Sequence, residues 1–272
     1  MEENIQLIDV TPRLARDWLG FNSRNRNIRQ RVVLAYAADM AAGDWRWNGE
    51  SIKFAADGTL LDGQHRLAAV AESETTVPML VVRGLKDDAQ ETVDGGAKRR
   101  FGDVLKLRGE QAPATLAAIL RQVVLWDSGE RFTATRYAPT NAQMLQALEK
   151  YPWVRDIAQP ADNCARHCAL PGSIVGFGWW LFTETSDDDQ TSRDVEFFFG
   201  RLADGQALVK GDPIYELRRA AENSKTVRGQ RSVRYLTAIM IKAWNAYRDG
   251  NKVGMLTFRP GGEKPERFPQ PR

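Results

Sequence analysis

The chain has 272 residues, 43% of them apolar and 27% charged, with a formal net charge of +3. That composition excludes collagen, a low-complexity chain and a disulfide scaffold, and eight Trp with eleven Phe argue for a packed core rather than global disorder. No apolar run reaches ~18 residues, so no membrane-spanning helix is expected, and the acid-bearing start MEENIQLIDV lacks the apolar stretch of a secretory signal. The expected location is the cytoplasm, where Cys164 and Cys168 read as reduced thiols.

Thr11 before Pro12 predicts a helix start, and Leu14, Trp18 and Leu19 supply its short apolar stripe. A polar loop, 21–27, interrupts it. Ile28, Val32, Ala35, Tyr36 and Met40 then predict a second helix, with Asn27 as its cap and Gly43 as its end. Ser51–Phe54 and Thr59–Leu61 flank Asp57-Gly58 and read as a hairpin. Leu67–Ala71 reads as a helix, Val77–Val82 as a mostly buried strand and Asp87–Thr92 as a short helix. The order β-β-α-β predicts a small mixed α/β domain over residues 1–108.

Beyond it, six Ala- and Leu-rich periodic segments predict helices: Leu116–Trp126, Asn141–Lys150, Ile174–Thr183, Asp194–Ala203, Tyr215–Ala221 and Arg231–Arg248. Thr140 with Gln143 is a capping-box pair. Residues 109–272 are thus expected to form an all-α domain ending in an extended tail, and the whole an α+β protein. Within that half, Lys210–Arg248 holds nine basic residues against three acids. Such an excess suits either a solvated helix face or a polyanion such as DNA, with Arg228, Arg231 and Arg234 as candidate contacts. Cys164, His167 and Cys168 have zinc-like spacing, but a closed site needs four ligands and the chain's other histidine is His65.

The sharpest local feature is Leu60-Leu-Asp-Gly-Gln-His-Arg-Leu67. An apolar strand ends, Gly63 permits an unusual turn and a helix begins, so backbone N–H groups there favour an anion. Arg66 offers a guanidinium fork to phosphate, His65 a proton shuttle and Asp62 a Mg2+ ligand or base. The alternative is an Asp-Gly turn with Arg66 in an ion pair nearby. A second cluster, Asp94-Gly-Gly-Ala-Lys-Arg-Arg100, lets backbone approach a ligand. Lys98, Arg99 or Arg100 can grip a triphosphate there, and Asp94 can share Mg2+ with Asp62. A surface basic turn is the other explanation.

Asp62-Gly-Gln-His-Arg66 on a strand–turn–helix resembles the signature of the ParB/sulfiredoxin superfamily, whose members carry a G-x-x-R or D-G-x-H-R motif that holds nucleotide phosphates. Gly63 and Arg66 match the shared pair, and Asp62 and His65 match the fuller version. The order Asn-Arg loop, helix, Gly-Asp-Trp, hairpin, motif, strand and Asp94-x-Gly-x-x-Arg-Arg resembles phage ParB-like proteins over about residues 5–108, which would place the protein in the host cytoplasm. The resemblance implies a ParB/sulfiredoxin-like fold for the first domain and a bound nucleoside triphosphate (ATP or CTP) with Mg2+. It also puts the N-terminal loop beside the nucleotide, so Asn25, Arg26 and Gln64 join the candidate contacts, although Asn25 and Arg26 also fit a polar helix cap. Gln64 stands where sulfiredoxin has its reactive Cys, which argues against sulfinic-acid repair, and no helix-turn-helix is legible after residue 110. The leading expectation is an enzyme that transfers or hydrolyses the terminal phosphate, with nucleic-acid modification as one setting. The catalytic residues would be Asp62, His65 and Arg66. A nucleotide-switched DNA-binding module is the alternative, and a nuclease the third.

Overall fold

The computed structural model describes residues 4–23, 25, 27–86, 89, 100–129, 138–185, 188–227 and 231–272. Two compact units emerge, one comprising residues 1–98 with 133–143 and the other 99–132 with 144–272. The first carries a four-stranded sheet and the second is helical, so the chain is α+β.

In the first unit, β1 (Asn4–Val10) leads into α1 (Pro12–Leu19), where Thr11 caps by accepting the Leu14 N–H at 3.2 Å. The second helix, α2 (Gln30–Ala41), begins two residues later than expected. Its buried face is Val33, Ala37 and Met40, while Ile28 lies outside the helix and exposed. Gly43, at φ +75°, ends it in a Schellman turn, donating to Met40 O while Asp44 donates to Asp39 O. There follow β2 (Ser51–Ala55), the Asp57-Gly58 turn, β3 (Leu60–Asp62), α3 (Gln64–Ser73) and β4 (Val77–Leu85).

The strand order is β1-β4-β2-β3. β1 runs antiparallel to β4, β4 parallel to β2, and β2 antiparallel to β3. The parallel pair needs a crossover, which β3 and α3 provide. Packing on the core face joins Val10, Ile52, Phe54, Met79 and Val81 to Trp18, Val33, Met40, Leu67 and Val70 of the helices. β1 is a strand that the sequence reading passed over. Its partner β4 lies some seventy residues away, and Ile5 and Leu7, the apolar side chains that would have signalled it, point outward and are exposed.

The pairing of β2 with β3 carries the feature that builds the site. Lys53 faces Asp62 while Phe54 faces Leu60, so Leu61 is an extra residue, a β-bulge. On a regular strand Leu60 and Asp62 would share a face. The bulge keeps Leu60 in the core with Phe54 and turns Asp62 to the side of Lys53.

In the second unit, α4 (Phe101–Leu107) packs with α5 (Pro113–Asp127). Phe101 and Leu105 belong to the helical core, so the first domain does not extend to residue 108. The division falls inside α6 (Asn141–Lys150), whose first three residues group with the first unit and the rest with the second. The helix starts at the expected Thr140–Gln143 capping box: Thr140 N–H donates to Gln143 Oε1 at 3.0 Å and Gln143 N–H to Thr140 Oγ1 at 3.2 Å. Then come α7 (Val154–Cys168), α8 (Gly172–Thr183), α9 (Asp189–Asp204), α10 (Pro213–Asn223) and α11 (Val233–Arg248). α4 and α7 were not expected; α7 contains Pro160, which reads as a break. The expected helix at Asp87–Thr92 lies outside the described residues, apart from Ala89. Among the described residues no helix is long and apolar enough to cross a membrane.

The core of this unit is aromatic. Phe182 stacks on Trp244 at 4.5 Å between ring centroids, and Phe198 meets Trp244 edge-on at 5.5 Å. The tail beyond α11 has no regular structure, yet it is anchored: Leu256 and Phe258 are buried, Trp244 Nε1–H donates to Arg272 O at 2.9 Å, and Asn245 holds Gln270 O. Phe258→Ala should therefore cost about 3–5 kcal/mol, as for a core aromatic, measured as a drop in urea-unfolding free energy.

Candidate functional site

The site lies where β3 gives way to α3. Gly63, the residue before the helix, has φ +103°. A Cβ there would collide with Ile52 Cδ1 and stand 3.2 Å from Ile52 Cα, so β2 lies directly against the turn and only glycine fits.

One strand cation, one helix cation and one backbone N–H converge on a single carboxylate. On β2, Ile52 and Phe54 enter the core, so Ser51 and Lys53 occupy the other face. Lys53 Nζ donates to Asp62 Oδ2 at 3.0 Å. Arg66, one helical turn after Asp62, donates through NH2 to the same Oδ2 at 3.0 Å and to Ser51 O at 2.8 Å. Its NH1 reaches Glu50 Oε2 at 3.2 Å. The Gly63 N–H donates to Asp62 Oδ1 at 2.7 Å. Arg66 Nε is buried without a hydrogen-bond partner among the described residues.

These contacts set the protonation of Asp62. Burial pushes its pKa up, but the Arg66 charge, the Lys53 hydrogen bond and charge, and the Gly63 N–H together outweigh burial and hold it below the ordinary carboxylate value. Asp62 is thus ionised at neutral pH and a weak proton acceptor, suited to binding cations rather than to taking protons.

The polar loop before α2 lies alongside. Asn25 Nδ2 donates to Asn22 Oδ1 and to Leu60 O, each at 2.7 Å, and Asn22 Nδ2 donates to Gln64 Oε1 at 3.0 Å. His65 Nε2 accepts the Arg29 backbone N–H at 3.0 Å. That nitrogen therefore carries no proton in this arrangement, and the ring anchors the start of α2. The expected cap at Asn27 is replaced by Arg29, which makes no side-chain cap.

Asn25, Asp62, Gly63, Gln64, His65 and Arg66 are thus brought together, with Asn22, Glu50, Ser51 and Lys53 beside them. Arg26, Asp94, Lys98, Arg99 and Arg228 lie outside the described residues. Arg100 belongs to the second unit, where it precedes α4 and its N–H donates to Asp103 Oδ2 at 2.8 Å. The second unit also holds Arg231 and Arg234. Arg231 donates to Ala169 O at 2.7 Å and Ser224 Oγ at 3.5 Å, and Arg234 lies 5.7 Å from the Phe258 ring centroid. Cys164 and Cys168 are free and buried, 3.6 Å apart at sulfur. Among the described residues no three His, Cys, Asp or Glu side chains group to hold a metal.

No protein-family model, no curated protein and no solved structure matches the chain. What the site can do follows from its own geometry: two cations, a backbone N–H and a carboxylate meet at a helix start. Gly63→Ala should destabilise the first unit by roughly 2–4 kcal/mol, combining left-handed strain with overpacking against Ile52, read by urea denaturation.

Proposed function

We propose that the Asp62–Arg66 turn binds the phosphates of a nucleoside triphosphate, ATP or CTP, and that the protein transfers or hydrolyses the terminal phosphate. The observation that carries this reading is the convergence of Lys53, Arg66 and the Gly63 N–H at the start of α3, a donor set matched to phosphate oxygens. The resemblance of Asp62-Gly-Gln-His-Arg66 to the ParB/sulfiredoxin motif supports the same assignment.

Arg66 is the phosphate clamp, its guanidinium pre-aimed by Ser51 O and Glu50. Asp62, with its depressed pKa, acts as Mg2+ ligand rather than base. The single carboxylate fits an ion that phosphates help to hold, and Mg2+ would supply charge neutralisation at the transferring phosphate. Gln64 and Asn25 line the turn as candidate base or sugar contacts. His65 keeps the 21–29 loop against it.

Arg66→Lys keeps the charge and removes the fork. It should weaken nucleotide binding by at least roughly tenfold, the lower range for a charge-assisted bond, as measured by titration calorimetry with ATP and CTP in Mg2+. Arg66→Ala is a poorer probe because it also strips three partners from a side chain only 14% exposed. Inorganic phosphate release from the same samples separates turnover from a nucleotide switch. Asp62→Asn should reduce release by roughly 100-fold or more; unchanged release would move the chemistry away from this carboxylate.

A further inference from the structure

The anion position at the start of α3 is already filled, by a side chain of the protein itself. Asp62 Oδ2 accepts from Lys53 Nζ and from Arg66 NH2, and Asp62 Oδ1 accepts from the Gly63 N–H. An ammonium, a guanidinium and a helix-start N–H are the donor types that a phosphate group recruits. We propose that Lys53 is the second phosphate-contacting cation of this site, and that the Asp62 carboxylate stands in the phosphate's place until a divalent cation draws it away. This rests on the nucleotide reading only for what carries the phosphate.

The charges explain why a metal is needed. Lys53 and Arg66 are balanced by Asp62 and Glu50. A polyphosphate entering beside an ionised Asp62 would add negative charge to a part-buried site whose cations are already engaged. A Mg2+ ion shared between the Asp62 carboxylate and the phosphate oxygens reverses that balance, and one carboxylate plus phosphates is a usual ligand set for this ion. The one carboxylate at the helix start fits an ion whose other ligands are phosphate oxygens and water.

Once the carboxylate turns to the cation, Lys53 Nζ and Arg66 NH2 are released together. Arg66 stays aimed, because Ser51 O at 2.8 Å and Glu50 at 3.2 Å hold its guanidinium independently of Asp62. Lys53 stays aimed because the bulged register sets it directly opposite Asp62. Metal and phosphate therefore assist each other's binding, each removing what opposes the other.

Titration calorimetry on the full chain with inorganic pyrophosphate, ATP and CTP, in EDTA and in Mg2+, tests this. Wild type should bind at least roughly tenfold more weakly in EDTA, and Asp62→Asn should bind about equally in both. In Mg2+, Lys53→Gln should lose roughly tenfold or more and Lys53→Arg should recover most of it. Equal wild-type affinity with and without Mg2+, or wild-type affinity in Lys53→Gln, overturns the proposal. Pyrophosphate following this pattern while no nucleotide binds keeps it and removes the nucleotide reading. Nucleotide binding with neither dependence does the reverse. No binding of any probe to wild type or Asp62→Asn overturns both. Thermal unfolding without ligand checks that each variant is folded, and the wild-type comparison decides even where one is not.

Discussion

One carboxylate organises the first unit where β3 gives way to α3. Asp62 ties β2 through Lys53, the start of α3 through the Gly63 N–H, and the first turn of α3 through Arg66. None of these ties would form if β3 were regular, because Asp62 would then follow Leu60 into the core. The extra residue Leu61 removes that conflict, and the closeness of Ile52 to Gly63 leaves no room for a side chain in the turn. A bulge, a glycine and an acid are therefore parts of a single device: the first turns the acid outward, the second lets the helix begin at once, and the third gathers the cations.

The same logic of partial burial explains the chemistry available there. An acid as sheltered as Asp62 would be protonated more readily if it stood alone, but its three donors reverse the shift. The groups that keep it ionised are also those that a phosphate would want. With its cations already paired, this end of the unit is ordered by its own charges.

Local signals in the sequence were legible wherever the partners lie within a few residues. Thr11-Pro12, Thr140 with Gln143, Asp57-Gly58 and the Asp62–Arg66 string all fall where they were expected, because caps and tight turns are made by neighbours. The failures share the opposite property. β1 depends on β4, α7 survives Pro160 through packing on α8, and Lys53 meets Asp62 only through a register shift that simple alternation does not contain. Arg231 is exposed as a surface cation would be, but its bond to Ala169 O spans sixty-two residues and has no local signal.

The two cysteines offer a practical consequence of this division into units. They bracket the last turn of α7, both are buried, and the first unit has no thiol at all. A thiol-alkylating reagent can reach them only when that turn opens, so the alkylation rate is a clock for breathing of the helical unit alone. Run at increasing urea, the clock reports when that unit yields, silent to whatever happens around Asp62. The chain thus carries its own reporter for asking whether its halves unfold together or in turn.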